Sequence, residues 1–92
     1  MPLGAVHMVV RGMVQGVGFR FFVRQLAYRL EVTGRVKNLP DGAVEICAEG
    51  EEPTLASFIE RVKEGPRFGR VADVEMERIE PSRSRSGFTI EF

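Results

Sequence analysis

The sequence of 92 residues has little of several residue types, and each shortage excludes a class of protein. Its single cysteine, Cys47, leaves no internal disulfide and no multi-cysteine zinc site. Thirteen basic side chains balance thirteen acidic ones, so the basic surplus of a dedicated nucleic-acid binder is missing. No apolar stretch is long enough to span a membrane, and the first apolar run ends too early, at Arg11, for a signal peptide. We expect a cytoplasmic protein without a nucleic-acid or membrane partner.

The two residues most often used as metal ligands or nucleophiles stand without the neighbours that such sites need. His7 is the only histidine and lies in a strand-like run, so we interpret it as a strand residue facing solvent. Cys47 lies in a run of alternating apolar and polar residues, which is typical of an unreactive strand position. We therefore expect neither a metal nor a cofactor.

The remaining composition, 43% hydrophobic and 28% charged, is that of one globular domain over residues 1–92. Hydrophobic periodicity of two predicts strands, and periodicity of 3.6 predicts helices. The predicted elements, in order, are a strand over 5–13, a helix from about Arg20 to about Glu31, strands over 32–38 and 44–49, a helix over 51–64, and strands over 71–79 and 88–92.

This order, strand–helix–strand–strand–helix–strand with a short extra strand, predicts an α+β, ferredoxin-like split βαβ fold. The turn signal Pro40-Asp41-Gly42 predicts that the second and third strands form a hairpin. Right-handed crossovers place the first and third strands at the centre of an antiparallel sheet. Two helices are expected on one face, which leaves the other face to solvent.

A glycine-containing loop joins the first strand to the first helix, and it reads Gln15, Gly16, Val17, Gly18, Phe19, Arg20. A tight loop followed by a helix N-terminus directs backbone N–H groups at one point, which is an arrangement that binds phosphate. Arg20 stands where the helix dipole disfavours a cation, and such a local conflict indicates function. We predict a phosphate-binding loop over residues 15–20 with an arginine clamp.

Two other interpretations of this loop fit poorly. A dinucleotide-binding fingerprint would require glycine at the position of Phe21 and an acidic residue after a second strand. The signature of RNA-recognition domains lies on their third strand, whereas this loop precedes the first helix, starts with Gln15 and has Val17 at an aromatic position. A non-catalytic RNA- or ligand-binding module of the same topology remains the alternative from another functional class.

The stretch from Val10 to Arg20 resembles the signature of the acylphosphatase family. A second stretch, Gly34 to Asn38 followed by Gly42, Val44 and Gly50, is similar to the family's other signature. The resemblance extends over the whole chain in length and element order. One departure is Arg35, which replaces the usual aromatic residue. The resemblance implies a small enzyme that hydrolyses acyl phosphates to a carboxylate and inorganic phosphate. We expect a monomer, because nothing in the sequence demands a larger assembly.

The resemblance also implies the roles of individual residues. Arg20 would bind the phosphate, Asn38 would orient the attacking water, and the backbone amides of residues 15–20 would complete the site, without metal, cofactor or covalent intermediate. The chemistry is compatible with these roles, because a carboxylate is a good leaving group and needs no general acid. Neither signature contains His, Asp or Glu.

Plainer interpretations stay open for single residues. Arg20 could pack on Phe19 at the surface, and Asn38 could simply end a strand before a turn. Arg83 and Arg85 could form a second anion site, although a solvated loop is the simpler interpretation. A closer functional alternative is an acylphosphatase-like domain devoted to carbamoyl phosphate in a maturation pathway, against which the chain length argues.

Overall fold

The computed structural model describes residues 2–83 and 86–92. Two helices and five strands follow one another in the predicted order. They are β1 (Leu3–Met13), α1 (Phe19–Leu30), β2 (Thr33–Asn38), β3 (Val44–Glu51), α2 (Glu52–Glu64), β4 (Arg70–Ile79) and β5 (Phe88–Glu91). In the described residues, no helix is both long and apolar enough to cross a membrane.

The strands form one sheet in the order β4-β1-β3-β2-β5. β1 and β3 lie at the centre, β2 and β3 form the expected hairpin, and β4 pairs antiparallel with β1. The ferredoxin-like prediction is therefore confirmed. The short β5 pairs parallel with β2, so the five-stranded sheet is mixed rather than wholly antiparallel.

One face of the sheet and both helices share a single hydrophobic core. Alternate residues of β1, including Val6, Met8 and Val10, are fully buried against the helices. The helical stripes supply the other half of this core, with α1 contributing Phe19, Val23, Leu26 and Ala27 and α2 contributing Leu55, Phe58, Ile59 and Val62. Each large apolar side chain buried in this way contributes about 1.5–3 kcal/mol relative to exposure.

The opposite face of the sheet is partly covered by the chain and is not left entirely to solvent. The connection between β4 and β5 passes from one edge of the sheet to the other, and Glu49 of β3 holds it. Glu49 Oε1 accepts hydrogen bonds from Ser82 N at 2.8 Å and Ser82 Oγ at 3.2 Å, and Oε2 accepts one from Arg83 N at 2.8 Å. Arg83 thus contributes its backbone N–H here, while Arg85 lies outside the described residues.

Charged side chains cover the rest of this open face. His7 is half-buried, with its Nε2 2.9 Å from Glu45 Oε2, and Arg35 Nη1 donates to Glu45 Oε1 at 3.0 Å. Cys47, partly buried, occupies the same face between its neighbours Glu45 and Glu49. His7 is therefore a strand residue, as predicted, but it contacts a carboxylate instead of facing solvent alone.

Candidate active site

The loop between β1 and α1 is shaped by two glycines in left-handed conformations. Gly16 and Gly18 both have φ of 77°, a value that side-chain-bearing residues rarely adopt. A Cβ atom added at either position would meet nothing within 4 Å. These positions therefore require glycine for the path of the backbone and not for lack of space.

This path leaves the N-terminus of α1 open. Gly18 is the N-cap residue, no side chain caps the helix, and the first turn has no acidic residue. The first hydrogen bond into the helix runs from Phe22 N to Gly18 O at 2.9 Å. Among the described residues, none accepts a hydrogen bond from the backbone N–H groups of Gln15 to Arg20. Unpaired N–H groups at the positive end of a helix dipole favour an anion.

A pocket of about 200 Å³ lies in front of this loop. It brings together Arg20, from the start of α1, and Asn38, from the end of β2. The complete lining is Val14, Gly16, Gly18, Phe19, Arg20, Phe21, Asn38, Ile90 and Phe92. The two side chains singled out from separate sequence motifs therefore share one pocket.

The guanidinium of Arg20 is positioned by the strand at the far edge of the sheet. Nη1 donates to the backbone oxygen of Glu91 at 3.0 Å, and Cζ lies 4.7 Å from the ring centroid of Phe92. Phe19 is buried in the core, with 1% of its surface exposed, and the ring that the guanidinium of Arg20 contacts is that of Phe92. A guanidinium held on one side keeps its other N–H groups in a fixed fork, which suits phosphate oxygens.

The side-chain oxygen of Asn38 is the most informative polar atom in the pocket. Asn38 Oδ1 is buried, and no described residue donates a hydrogen bond to it. An unpaired buried acceptor costs about 1–3 kcal/mol, and native structures hold few of them. Asn38 also lines the pocket beside Arg20, so its amide group lies where a polar ligand would bind.

The side chain of Gln15 has a different role from the rest of the loop. Its Nε2 donates to Leu39 O and to Ala43 O, each at 2.8 Å, in the turn that follows Asn38. Gln15 therefore ties the loop to the β2–β3 turn and fixes Asn38 relative to Arg20. Val17 is partly buried against the core and does not line the pocket. For these two residues, ligand binding by the backbone N–H groups stays a prediction.

The ionisable groups with shifted pKa values lie on the open face of the sheet and not in the pocket. The hydrogen bond from His7, followed by those from Arg35, holds the pKa of Glu45 below its usual value despite partial burial. Burial lowers the pKa of Arg35, but its contacts with Glu45 and Glu91 outweigh that effect and raise it overall. Arg35, the departure noted in the sequence, is thus part of an ionic cluster rather than of the pocket lining.

Comparison with known proteins gives a consistent result. The acylphosphatase family model matches residues 6–90. An acylphosphatase of Archaeoglobus fulgidus is 51% identical over 76 residues, which cover 83% of this chain and 85% of that protein. The crystal structure of the acylphosphatase from Bacillus subtilis superposes with a TM-score of 0.92 at 42% identity, covering 99% of this chain and 100% of that one.

The same fold also occurs inside a much longer protein. The crystal structure of HypF from T. kodakarensis matches with a TM-score of 0.84 at 37% identity. The match covers 97% of this chain but 12% of HypF. The architecture is therefore compatible with both a short protein and one unit of a larger one.

Proposed function

The chain belongs to the acylphosphatase family, and we propose that it hydrolyses acyl phosphates with the 15–20 loop and Arg20 as the phosphate site and Asn38 as the residue that orients water. The observation that carries this assignment is the single pocket shared by Arg20, Asn38 and the glycines of the loop. We further propose that residues 1–92 act as one domain, as a cytoplasmic monomer on a small substrate.

The phosphate end of the substrate carries most of the charge, and its binding follows from the donors around the pocket. Arg20 offers a fork of N–H donors, and the loop supplies backbone N–H groups that have no protein acceptor among the described residues. These donors are in place before the reaction, so little reorganisation is needed as charge develops on the transferring phosphoryl group. We therefore assign the phosphoryl group to the space between Arg20 and residues 16–18.

Water attacks the phosphorus atom in this proposal. The new bond joins the water oxygen to phosphorus, and the bond that breaks joins phosphorus to the acyl oxygen, whose electron pair leaves with the carboxylate. The side chain of Asn38, which lines the pocket beside Arg20, orients the water so that its oxygen faces phosphorus. An amide is not a base near neutral pH, so the proton of the water passes to an oxygen of the phosphate itself.

Two alternatives receive less support. A non-catalytic RNA- or ligand-binding module of the same topology is not favoured, because the named relatives are acylphosphatases. None of the relatives and structures described above carries carbamoyl phosphate in its name, and the Archaeoglobus fulgidus and Bacillus subtilis proteins are acylphosphatases.

The test is hydrolysis of benzoyl phosphate by the purified chain with EDTA present. We expect metal-independent release of phosphate that Arg20→Ala lowers by at least about a thousand-fold, the range that loss of a phosphate-binding arginine gives in other enzymes. Arg29→Ala is the matched control, because Arg29 is exposed in the last turn of the same helix and does not line the pocket. Wild-type rates in Arg20→Ala, or no hydrolysis by the unaltered chain, would refute the proposal.

A further inference from the structure

We propose that Phe21 and Phe92 form an acyl subsite at the mouth of this pocket, which selects acyl phosphates with an aromatic or large apolar acyl group. The proposal rests on the function assigned above and concerns the end of the substrate that does not react. In the sequence, the motifs account only for the phosphate end, which all acyl phosphates share.

The first observation is the unusual exposure of these two rings. Phe21 is 51% exposed and Phe92 is 100% exposed, yet both line the same pocket as Arg20 and Asn38. Exposed aromatic rings at a concave site that also holds convergent polar groups are a common feature of ligand binding. Contact with an apolar group would remove from water a surface that the fold itself leaves uncovered.

The second observation is the division of the pocket into a polar and an apolar part. Arg20 and Asn38, with the loop N–H groups, account for the polar part, and the phosphoryl group occupies it in the proposed mechanism. The remaining side chains at the mouth are Phe21, Ile90 and Phe92. Arg20 is the only charged side chain in the lining within the described residues. A second charge on the acyl group would therefore find no new partner, whereas an aryl group would find two rings.

The third observation is that each ring contacts a neighbouring arginine. The Cζ atom of Arg24 lies 5.2 Å from the ring centroid of Phe21, and Cζ of Arg20 lies 4.7 Å from that of Phe92. Contacts of this kind are weak at exposed sites, and they favour a ring position beside the pocket. Arg24 also lies 5.9 Å from the ring of Tyr28, which is 59% exposed on the same helix but does not line the pocket.

The experiment compares kcat/KM for benzoyl phosphate and acetyl phosphate in the unaltered chain, Phe21→Ala, Phe21→Leu and Tyr28→Ala. The intrinsic reactivity of each substrate is the same for every variant, so the change in the ratio between substrates isolates contacts with the acyl group. We expect Phe21→Ala to lower the benzoyl-to-acetyl ratio by about ten-fold, in the range that apolar pockets give for differences of a few carbon atoms. Phe21→Leu should retain part of the preference.

Tyr28→Ala is the matched control, because it removes an exposed ring and a contact with Arg24 from the same helix without changing the pocket lining. We expect the ratio in Tyr28→Ala to stay within two-fold of the unaltered chain, on the order of experimental error for such surface changes. In Phe21→Ala, the KM for benzoyl phosphate should rise more than the inhibition constant for inorganic phosphate, because inorganic phosphate has no acyl group.

The outcomes separate this inference from the assigned function. If both substrates are hydrolysed and Phe21→Ala changes their rates equally, the acyl subsite is wrong while the phosphate site stands. If the unaltered chain hydrolyses neither substrate, the assigned function fails, and the subsite fails with it. Circular dichroism and urea unfolding establish that each variant is folded before its rates are compared.

Discussion

Two loops at opposite ends of the sheet present backbone N–H groups to a hydrogen-bond acceptor. They differ in whether the protein itself supplies this acceptor. At the end where β3 leaves the sheet, Glu49 accepts from the N–H groups of Ser82 and Arg83. At the other end, no described residue accepts from the N–H groups between Gln15 and Arg20. In the first loop a side chain of the protein accepts these hydrogen bonds, whereas in the second loop the N–H groups remain available to a ligand.

The comparison shows how one kind of interaction serves structure in one place and binding in another. Glu49 is 9% exposed and fastens the connection from β4 to β5 to the open face of the sheet. Asn38 has a buried polar atom that nothing in the described chain satisfies. The two ends are separated by β2, whose five residue steps from Thr33 to Asn38 span about 17 Å. Substitutions at the two ends should therefore act independently.

Among the substitutions that test this comparison, Asn38→Ala is expected to have the largest effect on kcat. It should lower kcat by about a hundred-fold, as loss of a preorganised polar group does in other enzymes, and leave the inhibition constant for inorganic phosphate largely unchanged. Stability should stay the same or rise, because the substitution removes an unpaired buried acceptor. Steady-state kinetics and urea unfolding measure the two quantities.

Lys37→Ala is the matched control for Asn38, since Lys37 is the preceding residue of β2, is only partly buried and does not line the pocket. It should change kcat by less than about three-fold, as expected for a surface position. A variant of Asn38 that lost phosphate affinity but kept kcat would make this residue a binding group, and a large loss of stability would make it a structural one.

Glu49→Gln should show the opposite behaviour. The amide group places a donor where Ser82 or Arg83 also donates, so we expect a loss of about 1–2 kcal/mol in the free energy of unfolding. The value of kcat/KM should stay within about two-fold, because the site lies at the other end of the sheet. Glu51→Gln is the control: Glu51 lies two residues further along the same strand and is exposed. If Glu49→Gln lost much activity but no stability, the conclusion that Glu49 serves the structure and not the pocket would be contradicted.

Much of the fold and part of the candidate site could be predicted from the sequence, because their signals are local. The alternation in β1, the stripes of the helices and the Pro40-Asp41-Gly42 turn each follow from neighbouring residues. Arg20 and Asn38 stand out through two motifs of the family. The partners Glu91 and Phe92 of Arg20 could not be predicted, because they depend on β5 pairing parallel with β2.

The side-chain hydrogen bonds of Gln15 and Glu49 could not be predicted from the sequence for a related reason. Gln15 was expected to contribute a backbone amide, and nothing near it in the sequence indicates that its side chain reaches Leu39 and Ala43. Glu49 reads as an ordinary polar residue on the outer face of a strand, and only the path of the chain from β4 to β5 gives it donors. Side chains that join distant segments leave no periodic signal.

The smallest expected effect on the free energy of unfolding is that of Glu45, whose carboxylate is bound by side chains instead of backbone N–H groups. The hydrogen bond from His7, then the contacts with Arg35, lower the pKa of Glu45 below the value of 4.5 for an unperturbed glutamate. Its contribution to stability is therefore complete above that value and is lost as the pH falls through the lower pKa of the folded state. Because the amide oxygen of Gln can still accept a hydrogen bond from Arg35 or His7, we expect Glu45→Gln to cost about 1 kcal/mol or less at pH 7.

The difference between Glu45→Gln and the unaltered chain should shrink as the pH is lowered from 5 towards 2, and urea unfolding across this range measures it. Glu60→Gln, at an exposed position of α2, is the control for a general effect of removing one negative charge. A difference that grew in acid would mean that the folded protein raises the pKa of Glu45. That result would contradict the ionic cluster with His7 and Arg35, and it would leave Glu49, with its backbone donors, as the carboxylate on which this face of the sheet depends.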